Sequence, residues 1–179
     1  MTNKLFNRYR ELANKADIKT GTKESIDWFR KRVRKDNVSF NSVTEGLRSD
    51  PIRPGKMMTY RYDPKHEKKL KYYDTNPLII VLDITKDGWY GANVHYLPPQ
   101  MRAALFQELE YNKKPLRTIA TALENNPVTA ICLKRYLSKQ TKSKPKLIPK
   151  EEWEIAIMLP FESFKKASIQ SVWRNSKRW

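Results

Sequence analysis

The stretch from Pro77 to Leu97, PLIIVLDITKDGWYGANVHYL, limits the possible folds more than any other part of the chain. Leu78 to Val81 are four consecutive β-branched or leucine positions. That run is too continuously apolar for a strand with one wet face, and it predicts a central strand buried on both sides. Lys86-Asp87-Gly88 is a tight-turn signal, and WYGANVHYL returns as a second strand over 89–97. Gly91, inside that second strand, predicts a bulge or a close backbone approach. The chain is therefore built around an antiparallel hairpin, and other elements must cover both of its faces.

Apolar spacing predicts helices over 3–16 (Leu5, Tyr9, Leu12) and 23–36 (Ile26, Phe29, Val33), separated by Gly21. Residues 37–55 are rich in Gly, Pro, Ser and Asn and read as a connecting arm. A short aromatic strand follows at 57–63, stopped by Asp63-Pro64. After the hairpin, Pro98-Pro99 opens a helix at 99–111, and further helices are expected at 115–124 and 127–139. The segment SKQTKSKPKLIPK has five Lys and no acid, and reads as a mobile loop. EEWEIAIML, 151–159, alternates like a half-buried strand, and a last helix is expected at 161–175. The fold class is α+β: a small antiparallel sheet or SH3-like partly open barrel, with inserted helices and helical N- and C-terminal extensions. The expected division is basic N-terminal helices at 1–36, the arm at 37–55, a β-rich core at 56–160 and a basic C-terminal helix at 161–179.

With 36 Lys and Arg against 19 Asp and Glu, the formal charge is +17. Five Trp, nine Tyr and six Phe argue for a real core rather than wholesale disorder. The single Cys132 excludes an internal disulfide framework and a Cys-rich zinc module. No apolar run approaches the roughly 18 residues that span a bilayer, and the first residues lack the apolar stretch of a secretory signal, so neither membrane nor export is expected.

Catalytic patterns are weak. No Gly-rich phosphate loop precedes a Lys-Ser/Thr pair. Cys132 reads as a buried small hydrophobe, His66 as exposed, and His95 as a hydrogen-bonded structural histidine. Asp63 and Asp87 suit turns. A Mg²⁺-dependent nuclease would draw on the β-region carboxylates Asp63, Asp74, Asp83 and Asp87, or on Glu67-Lys68-Lys69 as an acid-x-Lys pattern with Asp50-Pro51 or Asp63-Pro64 upstream. Glu67, however, lies in a charged loop rather than on a strand. The chain is accordingly read as non-enzymatic, with no cofactor and no metal site.

Nucleic-acid binding has a firmer basis, because the cations fall into four clusters, at 30–35, 53–71, 134–150 and 165–178. Lys and Arg neutralise phosphates and release counterions, and interleaved aromatics can stack on unpaired bases. The candidate backbone contacts are Arg30, Lys31, Arg32 and Arg34 in the first cluster and Lys68, Lys69 and Lys71 in the second. Lys142, Lys144 and Lys146 represent the third, and Arg174 and Arg178 the fourth. Tyr60, Tyr62, Tyr72 and Tyr73 accompany the second cluster, and Trp173 and Trp179 the last. Asp63, Tyr73, Asp74, His95, Tyr96 and Pro98 are expected to hold turns and junctions. No base-reading motif is present, so the expected partner is nucleic acid, DNA in preference to RNA, bound without strong sequence preference.

The motifs Tyr62 to Lys65, Leu70 to Leu78 and Gly91 to Pro98, with the tail SFKKASIQSVWRNSKRW, resemble small basic proteins of large tailed (T4-like) bacteriophages. The similarity covers roughly 55–110 and 153–179. It implies a phage origin and a role with phage DNA or in the virion, not a reaction. The implied setting is the host cytoplasm, with incorporation in the particle as an open alternative. In the structural reading the partners are neighbouring phage proteins of the neck, tail or baseplate, and Trp28, Trp89, Trp173 and Trp179 would anchor interfaces.

Overall fold

The computed structural model describes residues 3–33, 35–110 and 112–176. Helices α1 (Lys4–Lys15), α2 (Lys23–Val33) and α3 (Phe40–Thr44) precede strands β1 (Met57–Thr59), β2 (Tyr73–Asp74), β3 (Leu78–Thr85) and β4 (Gly88–Asn93). Helices α4 (Pro99–Glu110), α5 (Leu116–Asn125) and α6 (Pro127–Ala130) lead to β5 (Leu133–Leu137) and β6 (Lys146–Ile148). The chain then runs through α7 (Trp153–Ala156), β7 (Phe164–Lys165) and α8 (Ile169–Ser176). Five strands form one antiparallel sheet in the order β5-β4-β3-β1-β6, and β2 and β7 pair separately. The sheet does not close, so the fold is α+β with an open sheet.

The predicted hairpin is present, with Thr85 opposite Gly88 and Ile79 opposite Asn93. Leu78 to Val81 are buried on both faces. Met57, Leu78, Ile80 and Ala92 join the main core, which also contains Phe6, Phe29 and Val172 of the terminal helices. Met58, Ile79 and Val81 join a second core made largely of Tyr60, Tyr62, Trp89 and Tyr136. In that core Trp89 Nε1 donates to the Tyr60 hydroxyl at 2.8 Å, which satisfies a buried indole N–H. The ladder slips by one residue between Val81 and Asp83, opposite Gly91 and Tyr90. A Cβ on Gly91 would stand 3.1 Å from the Ile80 carbonyl. The irregularity signalled by Gly91 is thus a bulge in the partner strand together with a tight approach.

Several expected elements differ. The helix expected over 127–139 is a single turn followed by β5, because the outer edge of β4 takes LKRYL as its ladder partner, with Trp89 opposite Tyr136. The strand expected at 151–159 is a 3₁₀ turn running into α7. All of 152–159 is buried, so its alternation does not separate a wet face from a dry one. The expected loop at 138–150 is tied down both by hydrogen bonds and by apolar burial: Lys142 N donates to Arg61 O at 2.7 Å, Arg61 N donates to Ser143 Oγ at 2.9 Å, and Leu147 and Ile148 are buried in the two cores. The last expected helix begins only at Ile169, because Phe164 and Lys165 pair with Asp74 and Tyr73. The second hairpin strand ends at Asn93, where Asn93 Oδ1 caps a 3₁₀ turn at His95 N. Residues 37–55 contain α3, whose capping box at Ser39 and buried Phe40 and Val43 order that stretch. Among the described residues no helix is long and apolar enough to cross a membrane.

Candidate nucleic-acid interface

Helix α2 buries Ile26, Phe29 and Val33, and this sets the direction of its cations. Arg30, Lys31 and, just beyond the helix, Lys35 line a cleft of about 750 Å³. The other walls are the start of α4 (Pro98 to Gln100 and Arg102), Met158, Pro160 and Glu162, and Trp173 of α8. Four cations therefore meet one carboxylate, Glu162, around a single concavity. Arg30 also contacts Asp27 at 3.1 Å. Lys31 and Lys35 are exposed.

Arg102 is the most constrained of the four. It is only 2% exposed. Its Nε donates to Leu97 O at 2.7 Å, Nη1 to Ile157 O at 3.0 Å and Nη2 to His95 O at 3.4 Å. Burial pulls its pKa below the usual value, against the opposing pull of Glu162 and Asp74. Arginine keeps its proton even so. Three carbonyls hold the guanidinium, and among the described residues no carboxylate forms a salt bridge with it. The Trp173 ring lies against it, 5.5 Å from centroid to Cζ, and Trp173 Nε1 donates to His95 O at 3.1 Å.

His95 supports both groups through its carbonyl, and its side chain is fully buried. An ionised carboxylate only accepts, so His95 Nδ1 donates to Asp74 Oδ2, at 2.7 Å. Asp74 is also buried. Desolvation alone would raise its pKa, but His95 and the amides of Ser163 and Asn76 outweigh that and hold it below the ordinary carboxylate range. The expectation that His95 is a hydrogen-bonded structural residue matches this geometry. Cys132 is likewise fully buried, and burial pushes its thiol up to about 12.

The remaining sequence candidates occupy other places. Arg32 and Arg174 are exposed, Arg174 beside Trp173. Lys68, Lys69 and Lys71 lie on an exposed loop that Lys166 Nζ ties down through Leu70 O at 3.1 Å. Lys142 and Lys144 are exposed near the β6 edge, while Lys146 is half-buried with its Nζ on Leu47 O at 3.0 Å. Arg61 is tied to the same edge and packs over Phe40 at 4.7 Å. Arg34, Arg178 and Trp179 lie outside the described residues. Tyr60 and Tyr62 are core residues, so they offer no stacking face. The fold thus joins the first cluster to Trp173 of the last and leaves the other two clusters elsewhere. Sequence reasoning placed neither Lys35 nor Arg102 among the contacts. The available signal for Arg102 was a lone cation inside the apolar run MRAALF. Glu67 contacts the Tyr73 hydroxyl at 3.2 Å, apart from the Asp74–His95 network, and among the described residues no group of three or more His, Cys, Asp or Glu gathers as for a metal ion.

These features define a class: a small, strongly basic α+β protein whose terminal helices close a cationic, tryptophan-lined cleft over an open sheet. The chain belongs to the family described as phage T4 terminal DNA protecting protein, whose family model matches residues 1–176. It is therefore a DNA-associated protein of the T4-like phages, as its motifs implied. Comparison with curated proteins and with solved structures found no match.

Proposed function

We propose that this protein sits on the ends of phage DNA in the infected host cell and shields them without catalysing a reaction. Binding is through the sugar-phosphate backbone and without strong sequence preference. The family description points to DNA termini. The observation that carries the reading is the cleft itself, where Arg30, Lys31, Lys35 and Arg102 face a single carboxylate. Phosphates entering it exchange their counterions for fixed cations. The other exposed candidates, Arg32, Lys68, Lys69, Lys71, Lys142, Lys144 and Arg174, extend the electrostatic footprint beyond the cleft. A non-catalytic role is supported by the enclosure of the Asp74–His95 pair, which has no exposed surface from which to act on a phosphodiester.

The test is an exonuclease challenge. Linear duplex DNA incubated with the full chain should survive nucleases that digest from ends, and a covalently closed circle should bind more weakly than the same duplex linearised. Digestion at saturating protein, or equal binding of open and closed forms, would refute end protection. Mg²⁺-dependent cleavage by the protein alone would refute the non-enzymatic reading.

A further inference from the structure

We infer that the cleft binds the terminal phosphomonoester of a DNA strand, held by Lys31 and Lys35 in the field of Arg30 and Arg102, and that this group marks an end for the protein. The inference rests on the end-binding reading and names the chemical group recognised.

Backbone contacts alone do not tell an end from the middle of a duplex, because every internal phosphate is the same singly charged diester. A terminal monoester differs. Its second proton leaves near pH 6, so it carries about −1.5 to −2 at neutral pH, and a closed circle has none. The cleft matches that group in charge. Among the described residues its walls carry Arg30, Lys31, Lys35 and Arg102 against Glu162 alone. Elsewhere exposed cations are matched by acids, as Arg8 is by Asp36, Lys114 by Glu108 and Arg135 by Asp87. Arg30 is likewise shared with Asp27. Lys31 and Lys35 are exposed and have no carboxylate partner among the described residues, which leaves both ammonium groups to meet an anion. Arg102 adds a cation that three carbonyls hold in place, so it needs no reorganisation when the anion arrives.

Helix α4 adds the same polarity. It opens in the cleft wall with Pro98, Pro99 and Gln100 and has no acid in its first turn. The Gln100 amide donates to no acceptor among the described residues. The positive end of a 12-residue helix therefore lies beside the cationic cluster, an arrangement that favours phosphate. Size agrees with charge. A volume of about 750 Å³ falls in the range of small-ligand pockets. A strand terminus enters a space of that size, and a continuous double helix does not.

The test uses the full chain and blunt duplexes of one sequence at one ionic strength: with 5′-phosphates, with 3′-phosphates, with hydroxyls at every terminus, and closed by hairpins at both ends. At least one phosphorylated form should bind about 10- to 100-fold more tightly than the hydroxyl form, the worth of a hydrogen bond to a charged group. The form that does so assigns the strand polarity. Lys31→Ala with Lys35→Ala should erase the preference without lowering the melting temperature, because both side chains are exposed. Lys31→Arg with Lys35→Arg should keep it. Lys142→Ala with Lys144→Ala, outside the cleft wall, should keep it too. Equal wild-type affinity for phosphorylated and hydroxyl ends would overturn the inference. So would a preference that survives the loss of Lys31 and Lys35, or one that disappears with Lys142 and Lys144. If hydroxyl and phosphorylated ends bind alike yet more tightly than the hairpin-closed form, only this inference fails; if all four forms bind alike, the end-binding reading fails with it.

Discussion

Asp74 accepts four hydrogen bonds, from Asn76 N and Ser163 N at 3.0 Å, Asn93 Nδ2 at 3.2 Å and His95 Nδ1 at 2.7 Å. Every partner is a donor, so a buried carboxylate satisfies them all and an amide does not. Asp74→Asn would turn an NH₂ toward a donor and remove the charge facing His95. The expected loss is about 3 kcal/mol at neutral pH, the upper range for losing hydrogen bonds to a buried charged acceptor. The pH dependence follows from the depressed pKa of this carboxyl. The folded protein holds it below the unfolded value of about 3.9, so its stabilisation is complete above that pH and disappears as pH falls through the folded value. Urea midpoints of the wild type and Asp74→Asn should therefore differ widely at pH 7 and converge below pH 4. A gap that stays constant across that range would mean the carboxylate is not the stabilising species. The consequence extends to the cleft, because the carbonyl of His95 carries both Arg102 and Trp173.

The hairpin of β3 and β4 was readable from sequence because local chemistry and long-range packing agree there: a double-sided apolar run, a two-residue turn and a returning aromatic strand. Gly88 is needed for a different reason than its turn suggests. It is the first residue of β4, and a Cβ there would overlap the carbonyl of Tyr136 on β5. Gly88→Ala should therefore cost about 2 kcal/mol through forced separation of the β4–β5 ladder, visible as a lower melting temperature. An unchanged melting temperature would show that β5 yields freely. β5 itself was not readable, because Leu133, Tyr136 and Leu137 fit a helical stripe as well as a strand, and only the open edge of β4 decides between them. Helix α7 was missed for a related reason. Alternation in EEWEIAIML puts Glu154 on a wet face, whereas it is buried, accepting from Gly21 N at 2.9 Å and from the Ser25 hydroxyl. The partners that make that burial tolerable come from more than a hundred residues away. The site was legible to the same extent. Arg30 and Lys31 announce themselves as charge on an amphipathic helix. The convergence of α2, α4 and α8 that makes a cleft of them is tertiary and leaves no local pattern.

At the scale of the whole molecule, three groups of the sequence candidates occupy separate elements: the cleft with Arg30 and Lys31, the loop bearing Lys68, Lys69 and Lys71, and the β6 edge with Lys142 and Lys144. One wall of the cleft depends on how α2 is seated. The Ser25 hydroxyl and the Gly21 amide donate to Glu154 and fix the start of α2, which carries that wall, while Arg10 of α1 pairs with the neighbouring buried Glu152. Burial raises the pKa of both carboxyls, with Arg10 opposing it at Glu152 and Ser25 and Gly21 opposing it at Glu154. The salt dependence of binding separates the three zones. Each phosphate contact contributes about one unit to the slope of log affinity against log salt. Lys31 and Lys35 are exposed, so replacing both by Ala should leave the fold intact while lowering the slope for open-ended DNA by about two. Lys142→Ala with Lys144→Ala should do the same if the bound duplex extends from the cleft to the β6 edge. A slope that falls with the first pair and not with the second would confine the interface to the cleft. A slope indifferent to the first pair would remove the cleft from it, and with the cleft the reason for reading α2 and α8 as the DNA-facing side of the protein.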